Sequence, residues 1–476
     1  MGRTRSALIV LADGARATAF EELLAAGDLP NVAEHVVGRG SQRRAASTFT
    51  STTGPAHVPI LTGCFAGAAD VPGYRWFDRG AHRPGLWPGQ WCLRSYNGPE
   101  AFLIDRDLSP RARTLYELTD DPVNVFGVLT RGVPGGNSLF ARRKAWLWPY
   151  IHYSQRWGAA EPWAARGLVE AARRDSELRF VAFPGIDWFS HYVDPEGEGV
   201  RACYRTIDRA IGDAARELRR RGAYDDTLIV VCSDHGHTPV HTHYDLPVRL
   251  EDDFRIATAY HSRAVFKRDP EAVACVSGNG MAHVYLRGGG WSGPAPARDE
   301  IDAGHPDLRP GLLAEPAVDL VITRDGEGGA WIESRRGLAR LAEHADGVRY
   351  GVEGDDPFGW PQLPGEMPWE QALELTFDSG HPDALVQIEQ LFRSRRSGDV
   401  VVSAAPGWDL RERYEHPEHH SSHGALHAGH MLVPFAASEP LAEGPMRTAD
   451  VFSTVLDWLG REPPAGVDGV SRLAPA

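Results

Sequence analysis

Three short apolar runs in this chain each lead into an aspartate, and no other feature of the sequence limits the fold so much. Ala7–Ala12 runs into Asp13, Phe180–Phe183 precedes Asp187, and Leu228–Cys232 precedes Asp234. Such runs, rich in β-branched residues and lacking alternation, read as strands buried on both faces, hence as parallel strands. Val123–Leu129 and Val400–Ser403 have the same texture. Between them lie helical patterns: Ile207, Ile211 and Leu218 recur near helical spacing within Ala202–Arg221, and Gly222 supplies a stop. Alternating strand and helix predicts an α/β fold, a doubly wound, mostly parallel central sheet flanked by helices. In such sheets chemistry sits beyond the carboxyl ends of the strands, the place that Asp13, Asp187 and Asp234 share.

At 476 residues the chain exceeds what one core usually supports. From Tyr244 to Asp378 the texture changes: Gly and Pro become frequent, and Ala282–Arg287, Val318–Arg324 and Ala330–Glu333 read as antiparallel strands. We therefore expect a core formed by 1–243 and 379–476, with 244–378 as an inserted α+β cap. The 50 basic and 64 acidic residues leave a net charge of -14, which opposes binding to a nucleic acid polymer. Five scattered cysteines, an odd number without CxxC spacing, fit a reducing compartment better than a disulfide framework. The early apolar stretch Ala7–Ala12 is too short for a signal-peptide core or a membrane span, so a cytoplasmic protein without a span is expected.

Four polar clusters carry the chemistry. In Pro184-Gly-Ile-Asp-Trp-Phe-Ser-His, Asp187 and His191 stand four residues apart at a strand-to-helix junction and can face one ion. Alone that pair is common on protein surfaces. In Val230-Val-Cys-Ser-Asp-His-Gly a buried strand ends in Asp234 and His235, and the glycine permits a tight turn. A polar turn would explain the motif by itself, but Asp13 and Asp187 at equivalent positions favour a metal site. A third segment, from His416 to His430, holds six histidines, of which one or two are plausible ligands. The fourth is the hydroxyl-rich run Ser47-Thr-Phe-Thr-Ser-Thr-Thr-Gly-Pro-Ala-His. Ordinarily such a run caps a helix or makes a loop; beside metals, one of its hydroxyls can be activated as a nucleophile. His237, His241 and His243 read as a solvated loop and are left out of the ligand set.

In this order the motifs resemble the type I phosphodiesterase/nucleotide pyrophosphatase branch of the alkaline phosphatase superfamily. The resemblance rests on Asp13-Gly14 after the first strand, Thr53-x-Pro55-x-His57, Asp187-x-x-x-His191, Ser233-Asp-His-Gly236 and Ser422-His-Gly424. A closing segment, Arg447 to Gly460, looks like the family's last helix. It covers residues 5 to 80, 178 to 240 and 395 to 470. The resemblance implies an alkaline phosphatase-like core and two zinc ions, with manganese or another divalent ion as an alternative. It assigns one ion to Asp187, His191 and His423 and the other to Asp13, Asp234 and His235, with Thr53 as bridging nucleophile and carrier of a covalent phosphoryl group. The implied activity is hydrolysis of phosphodiester or pyrophosphate bonds in a small phosphorylated substrate. Phosphomonoester or phosphonate hydrolysis is the alternative, and a non-catalytic zinc-binding protein ranks lower. The turn Thr53-Gly-Pro-Ala-His lacks the modifiable Cys or Ser and the Arg of sulfatases, and phosphomutases use a Ser in another context.

On the substrate side the family places an asparagine near phosphate where this chain has Tyr74 in Gly73-Tyr-Arg-Trp-Phe-Asp. Tyr74, Arg75 and Asn137 are the candidates to replace it. Eight of 14 tryptophans lie between Trp76 and Trp188, most of them expected in the core; Trp76 and Trp188, beside proposed catalytic residues, are the candidates to contact a leaving group.

Overall fold

The computed structural model describes residues 5–82, 92–261, 270–411 and 417–475. Trp87, Trp91 and His416 lie outside the described residues. Strand Ser6–Ala12 is buried along its whole length, as a strand flanked on both edges and both faces must be. It pairs in parallel with Leu178–Phe183 on one side and Thr227–Cys232 on the other, with Ile9 opposite Phe180 and Val230. The full sheet has eight strands, in the order Met446–Arg447, Ser41–Ala46, Leu432–Ala437, Thr227–Cys232, Ser6–Ala12, Leu178–Phe183, Val123–Val125 and Ser138–Leu139. Leu432–Ala437 is antiparallel to both of its neighbours.

Helix Glu198–Arg221 shows why the chain winds back between strands. Cys203, Ile207, Ala210, Ile211, Ala214 and Leu218 are all buried, one stripe at three- and four-residue spacing, and Gly222 ends the helix at φ 69°. Burying each larger apolar side chain of that stripe contributes roughly 1.5–3 kcal/mol. The expected strand Val123–Leu129 is shorter in the structure, Val123–Val125, because Phe126 turns the chain at φ 61°.

A second sheet of nine strands runs from Thr258–Tyr260 through Ala272–Ser277, Met281–Leu286, Val400–Ala404, Val318–Arg324, Ala330–Glu333, Leu338–His344 and Gly347–Glu353 to Glu366–Pro368. Here the sequence expectation needs correction. Val400–Ser403 is not a strand of the parallel sheet; it pairs antiparallel with Met281–Leu286 and Val318–Arg324 at the centre of the second sheet. A strand buried on both faces reads the same in either setting. The second sheet therefore extends past residue 378, the expected end of the inserted region.

Helix Ala384–Arg393 joins this sheet to the core. Gln387 Oε1 accepts from the Phe49 amide at 3.0 Å, and Gln390 Nε2 donates to the Phe49 carbonyl at 2.7 Å. Both glutamines are fully buried, so the helix fixes the hydroxyl-rich turn from behind. All five cysteines are buried, and no disulfide joins any two of them. Among the described residues, no helix is long and apolar enough to cross a membrane.

Candidate functional site

Asp13, Asp187 and Asp234 meet beyond the carboxyl ends of adjacent parallel strands. The Asp187 amide donates to the Asp13 carbonyl at 3.1 Å, and the Gly14 amide donates to Asp234 Oδ1 at 3.2 Å. All three carboxylates are buried, yet among the described residues no Arg or Lys lies within 4 Å of them; their ionic neighbours are histidines. Gly14, at φ 77°, leaves no room for a side chain, since a Cβ there would stand 2.9 Å from the His237 ring and 3.0 Å from the Asp187 Cα.

Two donor groups share this space. Asp13, Asp234 and His235 form one, with ligand atoms within 4.8 Å of one another. Around Asp187 Oδ1 three imidazoles converge: His237 Nε2 at 2.8 Å, His191 Nε2 at 3.4 Å and His423 Nε2 at 3.7 Å. His191 Nδ1 donates to the Ser421 carbonyl and His423 Nδ1 to the Ser51 carbonyl, each at 3.0 Å. A carbonyl only accepts, so both rings carry a proton on Nδ1, which leaves Nε2 as the atom that can bind a cation beside the carboxylate. Nitrogen and oxygen donors of this kind are the set that a zinc-like ion takes. The residues fit a divalent metal.

The electrostatics agree. Burial, then the charges of Asp234 and Asp187, push the Asp13 carboxyl well above the usual carboxylate range. Burial acts upward on Asp234 too, but His235, His57 and the Gly14 amide outweigh it and hold the carboxyl at about 2. Asp187 is likewise lowered, its burial overcome by His191, His237 and His235. Burial and then His191 bring His237 down to about 3, so that ring is neutral at pH 7.

The hydroxyl run is sorted by its contacts. Ser51 Oγ donates to the Ala425 carbonyl at 3.1 Å, Thr50 Oγ1 to the Pro72 carbonyl at 2.8 Å, and Thr52 Oγ1 has no hydrogen-bond partner; all three are fully buried. Thr53 alone of the run is half-buried, and its Oγ1 lies 3.1 Å from both Asp13 Oδ1 and His235 Nε2. His57, opening helix His57–Thr62, puts Nε2 3.2 Å from Asp234 Oδ2. The second sheet reaches the site through the tip Gly278-Asn279-Gly280. A Cβ on Gly278 would stand 2.5 Å from Thr52 Cγ2 and 2.6 Å from His423 Nδ1.

The structure thus gathers Asp13, Thr53, Asp187, His191, Asp234, His235 and His423 in one place. The substrate-side candidates divide. Trp188 lies beside Asp187 and packs edge-on against Trp148 and His152. Arg75 sits at the second-sheet side, its amide donating to Ser277 Oγ at 3.2 Å and its Nε to Ser95 Oγ at 3.2 Å, with Tyr74 adjacent. Asn137 is not brought to the site: it precedes strand Ser138–Leu139, at the amino end of the parallel sheet, and accepts from Arg174 at 3.0 Å. Trp76 is not there either; it is 1% exposed and its indole donates to Tyr96, so its role is core packing.

Two site residues escaped the sequence reading. His237 lies in the loop before Thr238–Pro239, as expected, but that loop is not solvated there: the ring is buried against Asp187, and the available signal was its place two residues after His235. Lys144, from helix Ala141–Ser154, donates to the Phe126 carbonyl at 2.9 Å and the Gly127 carbonyl at 3.3 Å. Burial lowers its pKa to about 8, opposed by the charges of Asp13 and Asp105. Its signal was usage: it is one of two lysines in a chain with 50 Lys and Arg together.

Fold and site together define a hydrolase of phosphoric esters with an alkaline phosphatase-like core. A family model for type I phosphodiesterase / nucleotide pyrophosphatase matches residues 7–299, more than half of the chain, and the chain belongs to that family. Phosphonoacetate hydrolase from Sinorhizobium meliloti 1021, in complex with phosphonoacetate, is similar in structure, with 17% identity and a TM-score of 0.58 over 96% of each chain. Murine ectonucleotide pyrophosphatase / phosphodiesterase 5 is similar at 14% identity and a TM-score of 0.55, again over 96% of each chain. No curated protein sequence matches.

Proposed function

We infer that this chain is a metal-dependent hydrolase that cleaves phosphodiester or pyrophosphate bonds of small organic substrates through a phosphoryl group carried on Thr53. The observation behind this reading is the position of Thr53: within the run Ser47–Thr53 it alone is half-buried and also touches the carboxylate and imidazole cluster. Asp187, His191 and His423 would hold one ion, and Asp13, Asp234 and His235 the other, zinc being the ion this donor set suits. When bound, two such ions supply Lewis acidity, lowering the pKa of a nearby hydroxyl and neutralising charge on the phosphoryl oxygens. Thr53 Oγ attacks phosphorus, the bond from phosphorus to the leaving oxygen breaks, and water then hydrolyses the threonine ester and restores the hydroxyl. His57 stands beside Asp234 Oδ2 at 3.2 Å, and the glutamines of helix Ala384–Arg393 keep the turn in place.

Phosphonate hydrolysis is the second reading. It is favoured by Lys144, a half-buried ammonium that feels the charge of Asp13 and has no carboxylate within 4 Å among the described residues, so it suits a substrate with a second anionic group. The phosphonoacetate complex of the structural neighbour supports the same idea. Bis-para-nitrophenyl phosphate, para-nitrophenyl phosphate, phenylphosphonate and phosphonoacetate, assayed side by side, separate the two readings. Acid quench during turnover followed by peptide mapping tests the nucleophile. Phosphate on Thr53 is expected, and phosphate on Ser51 or Thr52 would overturn the assignment.

A further inference from the structure

Of the three imidazoles around Asp187, only His191 and His423 belong to the pattern that resemblance supplies. We propose that His237 is a third imidazole ligand of the same ion, giving that position a three-histidine, one-aspartate donor set. This rests on the metal-dependent reading above.

The geometry is that of a cage. Ring centroids of His237 and His191 are 4.5 Å apart, those of His237 and His423 4.9 Å, and those of His191 and His423 4.9 Å. All three Nε2 atoms face the same oxygen, Asp187 Oδ1, and His237 is the nearest at 2.8 Å. Asp187, His237 and His423 offer ligand atoms within 4.8 Å of one another, in a group that also takes in His235, and His191 meets the same carboxylate oxygen from the side; oxygen and imidazole donors gathered in this way are those a zinc-like ion takes.

A plain hydrogen bond from His237 to Asp187 is the other account of that short distance. The far side of the ring decides between them. His237 Nδ1 lies 2.9 Å from Ser421 Oγ, a hydroxyl that can donate or accept, whereas His191 and His423 face carbonyls. Without an ion, Ser421 donates to Nδ1, and Nε2–H donates to Asp187. With one, the hydroxyl rotates, Nδ1–H donates to Ser421 Oγ, and Nε2 presents its lone pair; the other two rings already turn Nδ1–H toward a carbonyl. Ser421 then serves two ligands at once, His191 through its carbonyl and His237 through its hydroxyl. Three neutral imidazoles with one carboxylate favour zinc, cobalt or nickel over magnesium or calcium.

Cobalt(II) loaded into the metal-free chain gives the test, because each ligating imidazole keeps an exchangeable Nδ1 proton with a strongly shifted resonance in the NMR spectrum. Four such resonances are expected at full loading, from His191, His235, His237 and His423, and three in His237→Ala. Competition with a chromophoric chelator should show one of two binding events weakened about 100-fold or more in His237→Ala, and about 10- to 100-fold in Ser421→Ala, where only an outer partner is lost. Two bound ions with three shifted resonances in the unaltered chain would overturn the proposal while leaving the metal-dependent reading standing. No cobalt bound at all would overturn both.

Discussion

Glu161 holds the helix that presents Asp187 and His191, and its protonation makes a measurable demand on stability. It opens helix Glu161–Arg173, is 4% exposed, and through Oε1 accepts from the Gly185 amide at 2.8 Å, at the first turn of helix Gly185–Tyr192. Its other oxygen has no hydrogen-bond partner. Burial raises the carboxyl from 4.5 to about 8 against the pull of the Gly185 amide, so the side chain is neutral at pH 7 with the proton on Oε2. In the folded chain the group binds more protons than in the unfolded chain between those two values. Its contribution is therefore complete below about pH 4.5 and is lost as pH rises toward about 8, at about 1.4 kcal/mol per pH unit. By pH 7 the accumulated loss is about 3 kcal/mol. Glu161→Gln keeps the acceptor for Gly185 and replaces the acidic proton with an amide that does not titrate. The variant and the parent should have similar urea midpoints at pH 5, and the variant should pull ahead steadily up to pH 8. Because every other titrating group is common to both chains, the difference isolates this one. A midpoint difference that stays constant from pH 5 to pH 8 would show that the carboxyl titrates normally and that its burial costs nothing.

Chelation should abolish turnover, with close to two ions released per chain by elemental analysis and activity restored by zinc; retention of activity in metal-free protein would contradict the site as drawn. Thr53→Ala should lower turnover by several orders of magnitude while keeping its metal. Ser51→Ala and Thr52→Ala, which touch buried backbone and packing rather than the cluster, should cost on the order of 1 kcal/mol of stability and little turnover, read by calorimetry and initial rates. Gly278→Ala places a Cβ 2.6 Å from His423 Nδ1, at φ +61°, and should displace that imidazole from Ser51. A loss of about 100-fold in turnover with weakened binding of one ion is expected, and unchanged affinity for both ions would count against His423 as a ligand.

What the sequence made legible follows from which physical signals are local. Ser6–Ala12, Leu178–Phe183 and Thr227–Cys232 advertise themselves because a strand buried on both faces has no polar face to write, and Asp13, Asp187 and Asp234 stand out because a charge there interrupts that run. The same uniformity hides the partner strand, which is why Val400–Ala404 reads like its parallel counterparts yet sits between antiparallel neighbours. The site was legible where one motif carries both the residue and its reason, as in Asp234-His235-Gly236. It was not legible where the reason lies far along the chain. His237 gains its meaning from Ser421 and Asp187, and Lys144 from Phe126 and Asp13, contacts that no window of sequence contains. Asn137 and Trp76 show the reverse case: residues of suitable chemistry that the topology delivers to the wrong end of the sheet or into the core. Spacing along the chain therefore points to candidate ligands presented by one turn, while the residues that gather around Asp187 are fixed only once both sheets and the loop at Ser421 have come together. On that argument, changes at Ser421 and Gly278, neither of which offers a donor to the cluster itself, should perturb the metal site more than changes at Asn137 or Trp76.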